Sequence, residues 1–478
     1  MKAKRFKSEP TVIVVFGGTG DLSKKKLIPA LLHLFAEGFL PEVFRIVGIS
    51  RKDFSNEDFR QFMREALERK KHHYKKETIE KFLKNAYYQK GAFDDPQTYK
   101  NLSAILAKLD NEEGFCLNKL FYLSVQPSLY EAIFKNLADS GFAISCRGQS
   151  GWTRVLVEKP FGNDLKTAQA LDKILTSFFK EEQIFRIDHY LAKDAVQNLL
   201  TFRFSNVLFE DSWDARHVEK VLIKLYENFG VEGRGSFYDE SGALRDVGQN
   251  HLLQMLALIA MDNPVQLKPQ NLREKKSETL EALRIYSAKE ARLNAARCQY
   301  EGYKSADGVA KNSKTETYFR LRAFVDNDRW RGVPFYLESG KGLSETKTEI
   351  QIYFKSSAPC ACGIEDGHEH QNVLTLGISP EQSVTMRFWV KKPGIIFSME
   401  PQNLIFNYSQ EANGSSRLPD AYEKVLFDCI SGDQTLFASS REVEAAWRFI
   451  TPILEAWKEG GELCVYKPGQ MPEVKLPV

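Results

Sequence analysis

The chain has 478 residues, a length past the size at which one hydrophobic core stays economical, so two domains are expected. Its 66 basic and 63 acidic side chains nearly cancel to +3, which excludes a strongly basic nucleic-acid binder and an acidic disordered chain and leaves small molecules as partners. Seven cysteines without the dense spacing of a secreted scaffold predict free thiols in a reducing compartment.

The N-terminus, MKAKRFKSEP, is basic but leads into an apolar run of only about six residues, too short for a signal peptide or a membrane span. A soluble, cytoplasmic protein is expected. Thr11 to Phe16 (TVIVVF) is the continuous β-branched run of a strand buried on both faces of a parallel sheet. Gly17, Gly18 and Gly20 follow in GGTGDLS, a GxxGxxS rather than a GxGxxG spacing. Such a turn lets backbone approach a pyrophosphate at a helix N-terminus, or is simply a tight turn; its place between strand and helix favours the nucleotide site. Lys24 to Glu37 reads as that helix, bent at Pro29 and stopped by Gly38, and Arg45 to Ile49 (RIVGI) as a second buried strand.

After that strand come Ser50, Arg51 and Lys52 where NAD sites carry an acid. A cation there suits the 2′-phosphate of NADP, whereas nearby Asp53 can serve a ribose, which leaves NAD open. RKKHHYKK, from Arg69 to Lys76, reads as a solvated helix end without function. Leu120 to Val125 (LFYLSV) and Thr153 to Val157 (TRVLV) fit further strands of one doubly wound sheet. Lys159, just past the latter and before Pro160, either faces water or bonds both a substrate hydroxyl and a cofactor, with a cis proline to aim it.

In FRIDHYLAK, His189 and Lys193 are four apart and Tyr190 and Lys193 three apart. A helix beginning here sets all three donors on one face, suited to a phosphate dianion; the alternative is a half-buried histidine beside a surface lysine. Further on, Val218 to Tyr226, Tyr318 to Val325, Glu349 to Phe354, Val373 to Ile378 and Ser383 to Val390 read as strands of an antiparallel sheet. A helix around His251 and another from Glu442 to Trp457 are expected to cover it, with loops at Pro264 to Pro269 and Ser305 to Lys314. His251 lies in the apolar stretch RDVGQNHLLQMLALIAM, with Asp246, Gln249 and Asn250 gathered at one end. A neutral imidazole fixed by a carboxylate is the form a base requires near neutrality, so a catalytic role is expected over a structural one. Cys360, Cys362, His368 and His370 (CACGIEDGHEH) can make a four-ligand zinc site across a hairpin, but the spacing matches no strong pattern and an unliganded polar loop is expected.

The architecture implied is an α/β doubly wound domain, residues 1–188, followed by a larger α+β domain, residues 189–478, with a mainly antiparallel sheet. Oxidising a sugar hydroxyl requires a base, an acid to orient it and cations for a phosphate, and Asp188, His189, Lys193 and His251 supply these together.

The motifs GGTGDLSKKKL, FYLSVQP (Phe121 to Pro127), VEKPFG (Val157 to Gly162), RIDHYLAK, GRGSFYDESGALRDVGQNHLLQM from Gly233, RWRGVPFYLESGKGL from Arg329 and YEKVLFDCISGDQTLF from Tyr422 run in one order. In them, over nearly its whole length, the chain resembles the glucose-6-phosphate 1-dehydrogenase family. The resemblance implies a Rossmann domain, a second domain whose sheet helps form a homodimer, and oxidation of glucose 6-phosphate to 6-phosphogluconolactone in the oxidative pentose phosphate route. It implies that His251 takes the anomeric proton as hydride leaves carbon 1 for carbon 4 of the nicotinamide, while Asp188 accepts the other imidazole N–H. His189, Tyr190 and Lys193 are then expected to hold the phosphate, and Lys159, Glu227, Asp246 and Lys341 the sugar hydroxyls. Gly17, Gly20, Asp21, Leu22, Ser50, Arg51, Pro127 and Lys159 are expected along the dinucleotide.

Departures from the family's pattern fall late in the chain. Thr346 stands where Arg or Lys is usual, leaving Lys347 as a substitute. Gly377 and Ser379 stand where Arg-x-Gln-Pro is expected, and the end reads YKPGQMP rather than Gly-Ser-Trp-Gly-Pro, so no second, structural NADP site is expected. The rival readings are another Rossmann-type sugar oxidoreductase and a non-catalytic nucleotide- or zinc-binding scaffold.

Overall fold

The computed structural model describes residues 9–68, 74–145, 151–356, 370–408, 419–474 and 476. β1 (Thr11–Phe16) is buried along its whole length, as an unbroken apolar strand must be when helices cover both faces of its sheet. β2 (Phe44–Ser50), β3 (Ala86–Lys90), β4 (Asn118–Leu123), β5 (Thr153–Val157) and β6 (Ile184–Ile187) join it, all parallel. The order β3-β2-β1-β4-β5-β6 reverses between β1 and β4, the switch point at which open α/β sheets bind dinucleotides.

The helix after β1 differs from expectation in a telling way. Ser23–Leu27 wind as a wide π-helical turn, and the α-helix proper runs Ile28–Ala36. Pro29, which has no N–H to donate, thus sits in the first turn of the α segment, where the amide would be unpaired in any case. Gly38, at φ +76°, ends the run. A short strand near the other end of the chain, β15 (Phe437–Ala438), adds to β6 antiparallel, so late residues complete the first sheet.

The second sheet comprises β7 (Val218–Tyr226), β8 (Ala295–Tyr300), β9 (Tyr318–Ala323), β10 (Phe335–Gly340), β11 (Lys347–Phe354), β12 (Val373–Ser379), β13 (Ser383–Lys391), β14 (Met399–Asn407) and β16 (Cys464–Tyr466). Their order is β14-β13-β12-β11-β7-β10-β9-β8-β16. The pairing is mainly antiparallel as expected, but β7 with β10 and β8 with β16 are parallel. Its inner face packs on the helical stretch Leu244–Ala260, and one apolar core runs through both halves of the molecule. The last long helix, Ser440–Glu459, packs against helices Pro269–Glu281 and Leu165–Phe178, tying the halves together.

The expectation of free thiols fails among the described residues, where Cys116, Cys298 and Cys464 are all disulfide-bonded. Cys298 and Cys464 sit opposite each other in the parallel ladder of β8 and β16 and form a disulfide, which no spacing motif announces because 166 residues separate them. Cys429 is a buried free thiol. Among the described residues no helix is long and apolar enough to cross a membrane.

Candidate functional site

Lys159 and Asp188 follow β5 and β6, at the carboxyl ends of neighbouring parallel strands, where such sheets bind ligands. His251 reaches them from the second domain. Leu244–Leu252 wind with π-helical pitch before the α-helix Leu253–Ala260 begins. In an α-helix, residues five apart such as Asp246 and His251 would point roughly 140° apart; the wider pitch brings them to one side. Gly248 lets this stretch lie close on the sheet, since a Cβ there would come within 2.8 Å of the Phe319 ring in β9.

His251 Nδ1–H donates to Asp188 Oδ1 at 2.6 Å, and both residues are almost wholly buried. The other ring nitrogen, Nε2, lies 3.1 Å from Lys159 Nζ, which also bonds Asp246 Oδ1 at 3.2 Å and the Asp246 carbonyl at 2.8 Å. Burial, with Lys159 adding to it, pushes the His251 imidazole below its ordinary value against the pull of Asp188. Burial opposes charge on Asp188, yet His251, His189 and Lys159 overcome it and hold the carboxyl below the usual carboxylate range. The result is an ionised acid fixing a neutral imidazole whose Nε2 lone pair faces the Lys159 ammonium.

The three expected anion ligands do gather, but not on a helix. Asp188 Oδ1 accepts from the Tyr190 N–H at 3.0 Å, and Lys193 N–H donates to the Tyr190 carbonyl, so residues 189–193 form turns. The helix begins only at Asp194, because a side-chain acceptor two residues back offers the backbone a local alternative to helix. The rings of His189 and Tyr190 nevertheless lie 4.8 and 4.3 Å from that of His251, and Lys193 Nζ lies 4.0 Å from the Tyr190 ring. Burial lowers His189 and brings Lys193 down to about 8, while it raises Tyr190, whose hydroxyl bonds Thr348, to about 12. His189 and Lys193 line a cavity of about 460 Å³ with Leu22, Lys26, Gln382 and Tyr422. Lys26, paired with Asp420 at 3.0 Å, was not anticipated as a site residue, although the lysine run directly after the glycine turn carried the signal.

Glu227 and Lys341 meet because β7 and β10 are parallel: the strands end together, Glu227 N–H donates to the Gly340 carbonyl, and Lys341 Nζ lies 2.5 Å from Glu227 Oε2. Lys347 does not join them, which corrects the expectation for it. Side chains alternate along β11, so Thr348 faces Tyr190 while Lys347 takes the opposite face and pairs with Glu349 at 2.8 Å. Thr346 instead closes a turn by donating to Asn228 Oδ1.

At the first sheet, Gly17 has φ +83° and a Cβ there would stand 2.3 Å from the Ser124 carbonyl; at Gly18 one would stand 2.8 Å from Gly48 Cα. Gly20 N–H donates to the Gly17 carbonyl, drawing the loop shut. Ser50 Oγ bonds Thr19 Oγ1 in that loop at 2.9 Å and Tyr88 OH at 2.8 Å. Arg51 is exposed and makes no ion pair among the described residues, whereas Asp53 is taken by Lys90 at 3.2 Å. Arg51 is thus an unpaired cation beside a neutralised acid. Asp21 is exposed and pairs with Lys25, Leu22 is half-buried, and Pro127 opens a short turn past β4.

Glu158 also escaped notice. Tyr122 OH donates to its Oε1 at 2.6 Å and Tyr130 OH to its carbonyl at 2.9 Å, bracing the residue before Lys159, and burial raises its carboxyl. The Lys159–Pro160 peptide is cis, as expected. Of the zinc candidates, Cys360, Cys362 and His368 lie outside the described residues, and His370 stacks edge-on against Trp389. Among the described residues no group of three or more His, Cys, Asp or Glu side chains is placed to hold a metal ion.

Residues 14–198 match the sequence profile for the glucose-6-phosphate dehydrogenase NAD binding domain, and residues 200–475 that for its C-terminal domain. The glucose-6-phosphate 1-dehydrogenase of Aggregatibacter actinomycetemcomitans is 40% identical over 473 residues, covering 97% of this chain and 94% of that protein. That of Bacillus subtilis strain 168 is 37% identical over 473 residues, covering 96% and 94%. A solved structure of glucose-6-phosphate dehydrogenase in complex with glucose 6-phosphate superposes with a TM-score of 0.90 at 33% identity, covering 98% of this chain and 97% of that one. With both domains matched and relatives aligned nearly end to end, the chain belongs to the glucose-6-phosphate dehydrogenase family.

Proposed function

We propose that this chain oxidises glucose 6-phosphate at carbon 1 to 6-phosphogluconolactone, with His251 as the base and NADP as the preferred nicotinamide cofactor. The observation that carries the reading is the convergence of Asp188, His251 and Lys159 beside the His189–Tyr190–Lys193 cluster. The Nε2 lone pair of His251 takes the proton of the anomeric hydroxyl. Asp188 keeps the proton on Nδ1, so that Nε2 is the free base, and stabilises the imidazolium once it forms. Lys159 disfavours a charged imidazole before substrate arrives and presents N–H donors to the hydroxyl being deprotonated.

His189, Tyr190 and Lys193 hold the phosphate, with Lys26 on the wall of the same cavity. Asp246 and the Glu227–Lys341 pair bond the ring hydroxyls. Gly17, Gly20, Asp21, Leu22, Ser50, Arg51 and Pro127 line the dinucleotide, and Arg51 takes the 2′-phosphate. The nicotinamide, when bound, supplies the hydride acceptor.

The same reading makes the protein a cytoplasmic homodimer. Outer strands β13 and β14 carry Val390, Leu404, Ile405 and Phe406 in the open, and Leu404 and Ile405 are 67% and 66% exposed. A long apolar edge of that kind calls for a covering partner, and a second copy of the sheet suits it.

Steady-state rates with NADP and NAD against glucose 6-phosphate, other sugar phosphates and free glucose test the assignment. Glucose 6-phosphate with NADP should give the highest kcat/KM, with free glucose lower by about a hundredfold or more, the worth of the lost phosphate contacts. Equal kcat/KM for glucose would favour a sugar oxidoreductase that does not recognise phosphate.

A further inference from the structure

Lys341, the proposed sugar ligand, is positioned through its main chain as well as through Glu227. Its backbone is gripped from the far end of the chain. Tyr466, buried in β16, donates its hydroxyl to the Lys341 carbonyl at 2.5 Å and shares a hydrogen bond with Thr317 Oγ1 at 3.0 Å. Gly469 N–H donates to the Gly342 carbonyl at 2.8 Å, so the two residues at the end of β10 are both tied to the C-terminal segment. Farther along, the Val474 carbonyl accepts from Arg320 at 3.1 Å.

β16 itself is an edge strand of only three residues, too short to hold its place by ladder hydrogen bonds alone. Besides the Tyr466 and Gly469 hydrogen bonds, the Cys298–Cys464 disulfide fastens it to β8, set in a small apolar cluster with Tyr226, Tyr318, Leu343 and Tyr466. This cluster is separate from the main core, so the strap has a local anchor whose loss need not unfold the domain.

We propose that the segment from Cys464 to Gly469 is a redox-sensitive strap that positions Lys341. With the disulfide closed, Tyr466 and Gly469 fix the end of β10 and keep Lys341 aligned with Glu227 over the sugar. A dithiol opens it by thiol–disulfide exchange: the reductant gives up two electrons and two protons, the Sγ–Sγ bond breaks, Cys298 and Cys464 become thiols, and the dithiol becomes a disulfide. β16 then loosens, the Tyr466 hydrogen bond is lost, and sugar affinity falls while the base and its acid are untouched. In a reducing compartment this makes sugar affinity a readout of thiol status.

The proposal rests on Lys341 binding the sugar, and the test separates the two. Kinetics of the full-length enzyme are measured with and without dithiothreitol, alongside Tyr466→Phe, Cys464→Ser and Lys341→Met. Peptide mapping without reductant should find Cys298 linked to Cys464. Dithiothreitol should raise KM for glucose 6-phosphate about fivefold, the worth of one hydrogen bond, and leave kcat and KM for NADP within about twofold. Tyr466→Phe should show the raised KM without reductant, and Cys464→Ser should show it and ignore the reagent. An unlinked pair in air-oxidised protein, or an unchanged KM after alkylation has confirmed both released thiols, would overturn the strap. If Lys341→Met raises KM while the wild type ignores reduction, only the strap fails; if Lys341→Met leaves KM unchanged, the sugar-ligand reading falls and the strap with it.

Discussion

Asp188 and His251 stand 63 residues apart in the chain and meet at 2.6 Å, the acid at the end of a parallel strand of one domain and the imidazole on a wide helical turn of the other. The contact fixes which ring nitrogen carries the proton. Asp188→Asn should therefore keep the fold and lower kcat by about 10²- to 10⁴-fold, since an amide no longer enforces a free lone pair on Nε2. Near-normal turnover in that variant would remove Asp188 from the reaction.

Lys193→Ala should raise KM for glucose 6-phosphate by about 10- to 150-fold, the equivalent of 1.5 to 3 kcal/mol for a charge-assisted contact, with kcat much less affected. An unchanged KM would contradict its place in the phosphate cluster.

The pH dependence follows from the same residue. Burial brings Lys193 down to about 8, so the ammonium is present below that pH and lost above it. KM for glucose 6-phosphate should rise as pH climbs through that value in the free enzyme, while kcat holds. On the acid side His251 must stay neutral, and because burial lowers it, activity should persist below pH 6.5, where an ordinary histidine is already mostly charged. Profiles of kcat/KM from about pH 5 to 10 check both limbs; a loss of kcat/KM centred above pH 7 on the acid side would contradict a lowered His251.

Arg51→Ala should weaken NADP by about tenfold or more and leave NAD within about threefold, because in the proposed site the guanidinium meets only the 2′-phosphate. Equal losses for both cofactors would place Arg51 elsewhere on the dinucleotide.

Between helices Pro269–Glu281 and Ser440–Glu459, Lys276 and Glu442 form an ion pair at 2.9 Å with side chains 1% and 0% exposed. Lys276→Met should cost about 3 to 5 kcal/mol by stranding a buried carboxylate. Adding Glu442→Gln, which keeps an acceptor for the Ser439 cap, should restore much of that. Urea unfolding midpoints measure both, and a double variant no better than the single one would rule out the stranded charge as the cause.

Sequence made the first sheet largely readable because β1, β2 and β5 are apolar runs, the mark of strands buried on both faces. β3 and β14 were hidden by polar or exposed edge residues, and β14 carries Pro401, tolerated at a sheet edge. The site's members were legible as residues, their arrangement less so. A side chain–backbone bond from Asp188 broke the helix expected at His189, strand alternation turned Lys347 away, and the π-helical pitch that aligns Asp246 with His251 has no signature in spacing. The parallel pairing of β7 and β10, and the Cys298–Cys464 bridge, depend on topology that local pattern does not encode.

In the proposed mechanism His251 removes the proton and contributes little to holding the sugar. His251→Asn, studied by steady-state kinetics together with calorimetric titration of glucose 6-phosphate, tests it most directly. Turnover should fall by about 10²-fold or more, with the dissociation constant unchanged within a few-fold. Turnover within about threefold of wild type, or a collapse of binding that accounts for the whole loss, would contradict it.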